Sequence, residues 1–382
     1  MIYFDNSATT AIYPEALRTY TDVSTKIMGN PSSLHGLGTT ATRLLEASRK
    51  QMAELLGIKP HELFFTSGGT ESDNWILKGV AFEKRHFGNH IIVSSVEHPA
   101  VKNTAEWLAT QGFDVDYAPV DSRGFVRLDK LSALLREDTI LVSVMAVNNE
   151  IGAIQPIREI SELLADKATI SFHVDAVQAV GKMPVEDFLT ERVDFASFSA
   201  HKFHGPRGVG MAYIKSGKRL TPLLHGGGQE NNLRSTTENL PAIASAAKAL
   251  RLTLTDSEEK AQHVSRMKQI LLDEISKYEK VTVFSGTGGF IPNILTFGIR
   301  GVRGEVVVHA FEEHDIYIST TSACSSKKNA AASTLTAMNV KGSLATSAVR
   351  ISLDFKNSMA EIESFLTIFR QVYAQLEKVS SH

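Results

Sequence analysis

Polar residues gather just past the ends of several strand-like runs, and their types suit chemistry on an amine and a carbonyl. His98 follows the run 91–96, and Asn149 follows 141–147. Asp175 and Gln178 follow 171–174, while Ser199, His201 and Lys202 follow 195–198. In an open α/β sheet this edge is where ligands bind. A lysine partly withdrawn from water can hold an aldehyde cofactor as a Schiff base. A buried aspartate can pair with a pyridinium nitrogen and preserve the ring as an electron sink. An imidazole can stack on such a ring and also move protons. One strand end departs from this pattern: Phe64-Phe65-Thr66-Ser67-Gly68-Gly69-Thr70-Glu71 runs through two glycines into a helical stretch. Glycines let a backbone approach a ligand closely, and the N–H groups of a helix start attract phosphate. A plain strand-to-helix turn capped by Thr70 is the other reading of those residues. The segment matches neither the dinucleotide fingerprint nor the Walker A pattern.

Cys324 is the only cysteine in 382 residues. It excludes an intramolecular disulfide and a cysteine-based zinc site, and it points to a reducing cytoplasm. A lone cysteine is more often a small buried hydrophobe than a nucleophile. Its surroundings, Ser319-Thr320-Thr321-Ser322-Ala323-Cys324-Ser325-Ser326, suit a mobile loop better than a core strand. The chain carries 40 basic and 42 acidic residues, a formal charge of -2, so there is no nucleic-acid footprint. The start, MIYFDNSATT, has no basic region or long apolar run of the secretory kind. Apolar stretches such as 139–147 are too short to span a bilayer. His225-Gly226-Gly227-Gly228 is similar to a lipase oxyanion segment, yet no G-x-S-x-G elbow accompanies it. His201 and His204 have a ligand-like spacing, but no carboxylate or cysteine set completes a metal site.

The elements that would position these residues alternate. Strand-like runs at 63–66, 90–95, 140–146, 171–174 and 195–198 are separated by amphipathic stretches such as 40–56 and 156–168. This predicts an α/β fold whose mostly parallel sheet is covered by helices on both faces. Beyond the glycine-rich stretch the pattern changes to one long helical region, 240–278, and then strands near 281–284, 293–297, 317–319 and 349–353. A closing amphipathic helix over 359–376 completes a smaller α+β domain. The division reads as a large domain over 15–255 and a small one formed by 1–14 with 256–382.

The string Ser199-Ala200-His201-Lys202-Phe203-His204-Gly205-Pro206 resembles the cofactor-lysine motif of the cysteine desulfurases, in the class V aminotransferase superfamily. Further segments of that kind occur in the same order. They include Tyr3-Phe4-Asp5-Asn6-Ser7-Ala8-Thr9-Thr10, Glu97-His98, Asn148-Asn149-Glu150-Ile151-Gly152 and His173-Val174-Asp175-Ala176. Arg234-Ser235-Thr236-Thr237, Ser322-Ala323-Cys324-Ser325 and Val349-Arg350-Ile351-Ser352 follow. The resemblance covers essentially the whole chain, and the ordered set is far more specific than any single motif.

The resemblance implies a fold type I enzyme dependent on pyridoxal 5′-phosphate. Lys202 would carry the cofactor, Asp175 would hold the pyridine nitrogen, and His98 would stack on the ring. Gln178 would meet the phenolic oxygen, and Gly69, Thr70, Ser199 and His201 would hold the phosphate. Thr237 would reach that phosphate from the second subunit of a homodimer. Asn149 and Arg350 would orient the substrate carboxylate, and Cys324 would be the nucleophile. The implied activity converts L-cysteine to L-alanine, leaving a persulfide on Cys324 for an external acceptor in iron–sulfur cluster assembly or in tRNA or cofactor thiolation. A selenocysteine lyase or a small-amino-acid aminotransferase of the same superfamily is the nearest alternative. A non-catalytic scaffold is the alternative of another class, and a nicotinamide oxidoreductase lacks its G-x-G-x-x-G unit. Two positions depart from the family pattern: Thr236 and Thr321 stand where glycine is common.

Overall fold

The computed structural model describes residues 1–321 and 333–379. Thirteen strands lie in three sheets among the described residues. They are β1 (Ile2–Tyr3), β2 (Leu63–Thr66), β3 (His90–Ser94), β4 (Asp114–Ala118), β5 (Thr139–Ser143), β6 (Ser171–Asp175) and β7 (Phe195–Ser199). Next come β8 (Gly210–Ile214), β9 (Val281–Val283), β10 (Ile294–Ile299), β11 (Ile316–Tyr317), β12 (Ser319–Thr320) and β13 (Ala348–Ser352).

The large sheet runs β2-β8-β7-β6-β5-β3-β4. Strands β3 to β7 pair in parallel, and β8 is antiparallel to both of its neighbours. Every residue of β2, β3, β5, β6, β7 and β8 is buried, as expected for strands covered on both faces. The edge strand β4 reads DVDYA and keeps mixed exposure. Chain order reverses between β3 and β5, so the carboxyl ends of these strands open the crevice where α/β sheets bind ligands.

The small sheet, β12-β13-β10-β9, is antiparallel throughout. One core fills its side with Phe297, Phe311, Phe365 and Phe369. Its other edge meets the large core through Ile291, Ile294 and Ala348. The first residues of the chain lie on this sheet: Ser352 N–H donates to Phe4 O, and Ser7 N–H donates to Ser352 Oγ. The N-terminus is thereby led from the small sheet toward the end of β7.

The helical region predicted as continuous over 240–278 is two helices, Leu240–Leu254 and Ser257–Ile275. They break at Asp256, whose φ of 53° is left-handed. The strand expected near 317–319 is two short ones, β11 and β12, and Thr320, read as part of a loop, pairs with Val349 of β13. Among the described residues, no helix is long and apolar enough to cross a membrane.

A buried ion pair fixes the segment that follows the glycine-rich stretch. Glu230 accepts from Arg49 Nη2 at 2.7 Å, Arg49 Nη1 at 2.9 Å and Phe65 N–H at 2.9 Å. Glu230→Ala would leave the buried Arg49 guanidinium with only the exposed Glu46 carboxylate at its Nε and the Leu63 carbonyl at Nη1, and is expected to cost about 3 kcal/mol. Thermal unfolding of the cofactor-free protein measures it.

Candidate active site

Lys202 closes a one-turn 3-10 helix directly after β7. Its Nζ donates to Ser7 O at 2.6 Å and to Ala8 O at 2.9 Å. The amine is thus held by carbonyls from the opposite end of the sequence. Asp175 is the last residue of β6 and is 5% exposed. Its Oδ1 accepts from Val177 N–H at 2.9 Å. Burial raises the Asp175 carboxyl, against the opposing pull of His98, the Val177 amide and Lys202.

His98 caps the helix Pro99–Thr110, with Nδ1 accepting from Ala100 N–H at 3.1 Å. Proline at the first helical position leaves no backbone donor to satisfy there. Burial lowers the His98 imidazole; Asp175 opposes that and Lys202 adds to it. Neutral imidazole is therefore its resting form near pH 7. Lys202, Asp175 and His98 come from three strand ends and act electrostatically on one another, so the fold brings these three expected residues together.

Glycines shape the neighbouring edge. Gly69 starts the helix Gly69–Glu83, and a Cβ there would lie 2.6 Å from Val177 Cγ2. Only glycine lets that helix start abut the turn after Asp175. Thr70 is exposed beside it, and no side chain caps this helix. Ser199 ends β7 and is 5% exposed. His201 Nδ1 lies 3.1 Å from Thr9 Oγ1. Burial, then Lys202, Arg207 and Lys182, push the His201 imidazole down to about 4, so it is neutral. Helix N–H groups and neutral donors of this kind suit a phosphate.

Arg350, in the middle of β13, is 5% exposed. It donates from Nη1 to Asn149 O at 2.8 Å and from Nη2 to Asp5 Oδ1 at 2.9 Å. Its Nε is buried without a partner among the described residues. A guanidinium held on two sides with a donor left over is prepared for a carboxylate. Gln178 donates from Nε2 to Ser7 O at 2.9 Å, which joins it to the carbonyl that holds Lys202. Thr237 is exposed, on a segment clamped by Arg234 to Glu71 at 2.7 Å. Cys324 lies outside the described residues. Its flanks are anchored to the site: Ser319 pairs with Arg350 in the small sheet, and Thr334 Oγ1 accepts from Asn148 Nδ2 at 3.0 Å.

Several residues of this region escaped the sequence reading. Asp5 pairs with Arg350 across 345 positions, a distance no local pattern encodes. Below Asp175 lie two more acids, Asp73 and Glu97, and a buried His173. Burial raises Asp73 well above the usual range, and Asp175 adds to it. Burial also pushes Glu97 up to about 8, against Ser94 and with Asp175. His173 is driven down to about 3 by burial alone. Burial thus favours the neutral forms of the groups beneath Asp175, and Asp175 is the acid that Lys202 faces. A motif signal existed for Glu97, which precedes His98, but not for its protonation.

The Glu97 shift has a definite sign. Its folded value lies above the unfolded one, so its contribution is full below about 4.5 and is lost as pH rises toward about 8. Glu97→Gln, neutral at every pH, is expected to remove that loss. Melting temperature followed from pH 5 to 9 should fall less steeply for the variant, with the curves diverging over roughly pH 4.5–8.

The residues fit pyridoxal 5′-phosphate. A buried carboxyl waits for a protonated ring nitrogen, a lysine stands beside it, and a glycine-lined helix start offers N–H groups to a phosphate. Residues 2–365 match the aminotransferase class-V family. A solved NifS-like protein superposes with a TM-score of 0.91 at 40% identity, over 98% of this chain and 99% of that one. The fold and site define a pyridoxal phosphate enzyme of fold type I. A NifS/IcsS protein homolog of Lactobacillus delbrueckii subsp. bulgaricus is 55% identical over 100% of this chain and 99% of its own. The cysteine desulfurase IscS of Methanosarcina thermophila is 40% identical over 99% of this chain and 93% of its own. The chain belongs to the cysteine desulfurase family of the class-V aminotransferases.

Proposed function

We propose that this enzyme takes sulfur from L-cysteine, releases L-alanine, and holds the sulfur as a persulfide on Cys324. The observation that carries the reading is the meeting of Lys202, Asp175 and His98 at one sheet edge, with Arg350 and Asn149 joined beside them. When bound, pyridoxal phosphate supplies a ring that accepts the electron pair left when the substrate's Cα–H bond breaks.

The side chains perform the rest. Arg350 binds the cysteine carboxylate, with Asn149 setting its approach. Lys202 Nζ, which would hold the cofactor at rest, would take the Cα proton. Asp175 would face the ring nitrogen, above Glu97 and Asp73, whose neutral forms burial favours. His98 would stack on the ring in its neutral form. Gly69, Thr70, Ser199 and His201 hold the phosphate. The Cys324 thiolate attacks the substrate sulfur, an S–S bond forms as the Cβ–S bond breaks, and protons delivered to carbon complete alanine. No external oxidant is needed, because the carbon is reduced as the sulfur pair is oxidised.

With one cysteine in the chain, the sulfur must pass to an external thiol or protein. Iron–sulfur cluster assembly and tRNA or cofactor thiolation are the destinations we infer, in a reducing cytoplasm. We also infer a homodimer in which Thr237 reaches the partner's phosphate. The exposed Met28, Leu34 and Leu37, together with the clamped segment bearing Thr237, support it. The division into 15–255 and 1–14 with 256–382 is supported by the separate sheets and by the separate core behind the small one.

Product analysis tests the function. Incubation with L-cysteine and a reducing thiol should yield alanine and sulfide in equal amounts. Pyruvate in place of alanine, or a keto acid with the cofactor left in its amine form, would rule the reading out. Turnover of selenocysteine but not cysteine would favour the lyase.

A further inference from the structure

The turn after β6 carries a third polar residue beyond Asp175 and Gln178. Lys182 Nζ donates to Gln178 Oε1 at 2.6 Å. Gln178 is 4% exposed, and its Nε2 donates to Ser7 O, the carbonyl that also accepts Lys202 Nζ. The two ends of a carboxamide have nearly the same shape, so shape alone does not orient it. An ammonium has three donors and no acceptor. In that form Lys182 binds the oxygen of Gln178, and the N–H₂ end faces Ser7 O on the Lys202 side. Lys182 lines a cleft with Lys202, His204, Lys260 and Asp354. Burial, Lys202 and Arg350 push its amine down to about 7, with Asp354 opposing.

We propose that Lys182 is a positioning residue: its hydrogen bond to Gln178 Oε1 turns the Gln178 amide so that a donor faces the cofactor's phenolic oxygen. This rests on the proposed contact of Gln178 with that oxygen. A donor there stabilises the phenolate and weakens its hold on the proton of the Lys202 nitrogen. Losing the donor therefore raises the pH at which that nitrogen gives up its proton.

The holoenzyme's absorbance, followed against pH, reads that midpoint without turnover. Gln178→Ala is expected to raise it by about one pH unit, the worth of one hydrogen bond to a charged acceptor. Lys182→Met should raise it by a similar amount, and the double variant should move no further than either single one. Lys182→Arg, which keeps a cationic donor, should titrate with the wild type. Lys182→Ala is read in the same way if the methionine does not pack. Two independent, additive shifts would overturn the proposal, as would a Lys182→Met enzyme that melts lower but titrates as wild type. A Gln178→Ala enzyme with an unmoved midpoint would overturn both this proposal and the Gln178 contact beneath it, while the yellow cofactor on Lys202 would stand.

Discussion

Lys202→Ala is expected to abolish covalent attachment of the cofactor and to slow L-cysteine turnover by about 10³-fold or more. Two roles fall together: the amine that anchors the cofactor, and the base that takes the Cα proton. Wild-type protein should be yellow, and borohydride should fix the cofactor to the peptide bearing Lys202. The alanine variant should lose its cofactor on gel filtration and take no label from borohydride. The fold itself should survive, because Lys202 is held by two backbone carbonyls on a one-turn helix rather than by core packing. A labelled variant would mean that another amine carries the cofactor. Lys182 would be the first to examine, since its amine is depressed by burial and joined to Gln178.

Cys324→Ser should separate sulfur transfer from cofactor chemistry. Serine occupies nearly the same volume but cannot take a sulfur atom to form a persulfide. The variant should bind cofactor like the wild type and exchange the Cα proton of cysteine, because Lys202, Asp175 and Arg350 are untouched. Its release of sulfide and alanine should fall to that of free cofactor in buffer. Exchange without sulfide assigns the nucleophile to Cys324, whereas undiminished sulfide release would contradict it.

The mostly parallel sheet was legible because most of its strands are short apolar runs bounded by polar turns. Strand β8 escaped because GMAYI has no alternation and directly follows the glycines and proline of the lysine segment. Strand β4 escaped for the opposite reason: its edge position leaves acids at 114 and 116, which read as loop. The helical run across 240–278 looked continuous because nothing in its periodicity registers a left-handed residue at Asp256.

The site was legible to the extent that it sits on strand ends. His98, Asp175, Ser199 and Lys202 were found by that rule, and they are brought together by it. What the sequence concealed was contact at long separation. The carbonyls of Ser7 and Ala8 reach Lys202 only because the small sheet holds the N-terminus. Asp5 steadies Arg350 for the same reason. Protonation was equally hidden, since Glu97 and Asp73 are ordinary acids until burial shifts them toward their neutral forms.

The most direct measurement is the intact mass of the enzyme after brief exposure to L-cysteine with no reducing thiol. A gain of one sulfur atom is expected, mapped to the peptide bearing Cys324, reversed by dithiothreitol, and accompanied by one alanine per site. An unchanged mass with alanine accumulating, or a sulfur carried on any other residue, would contradict the account.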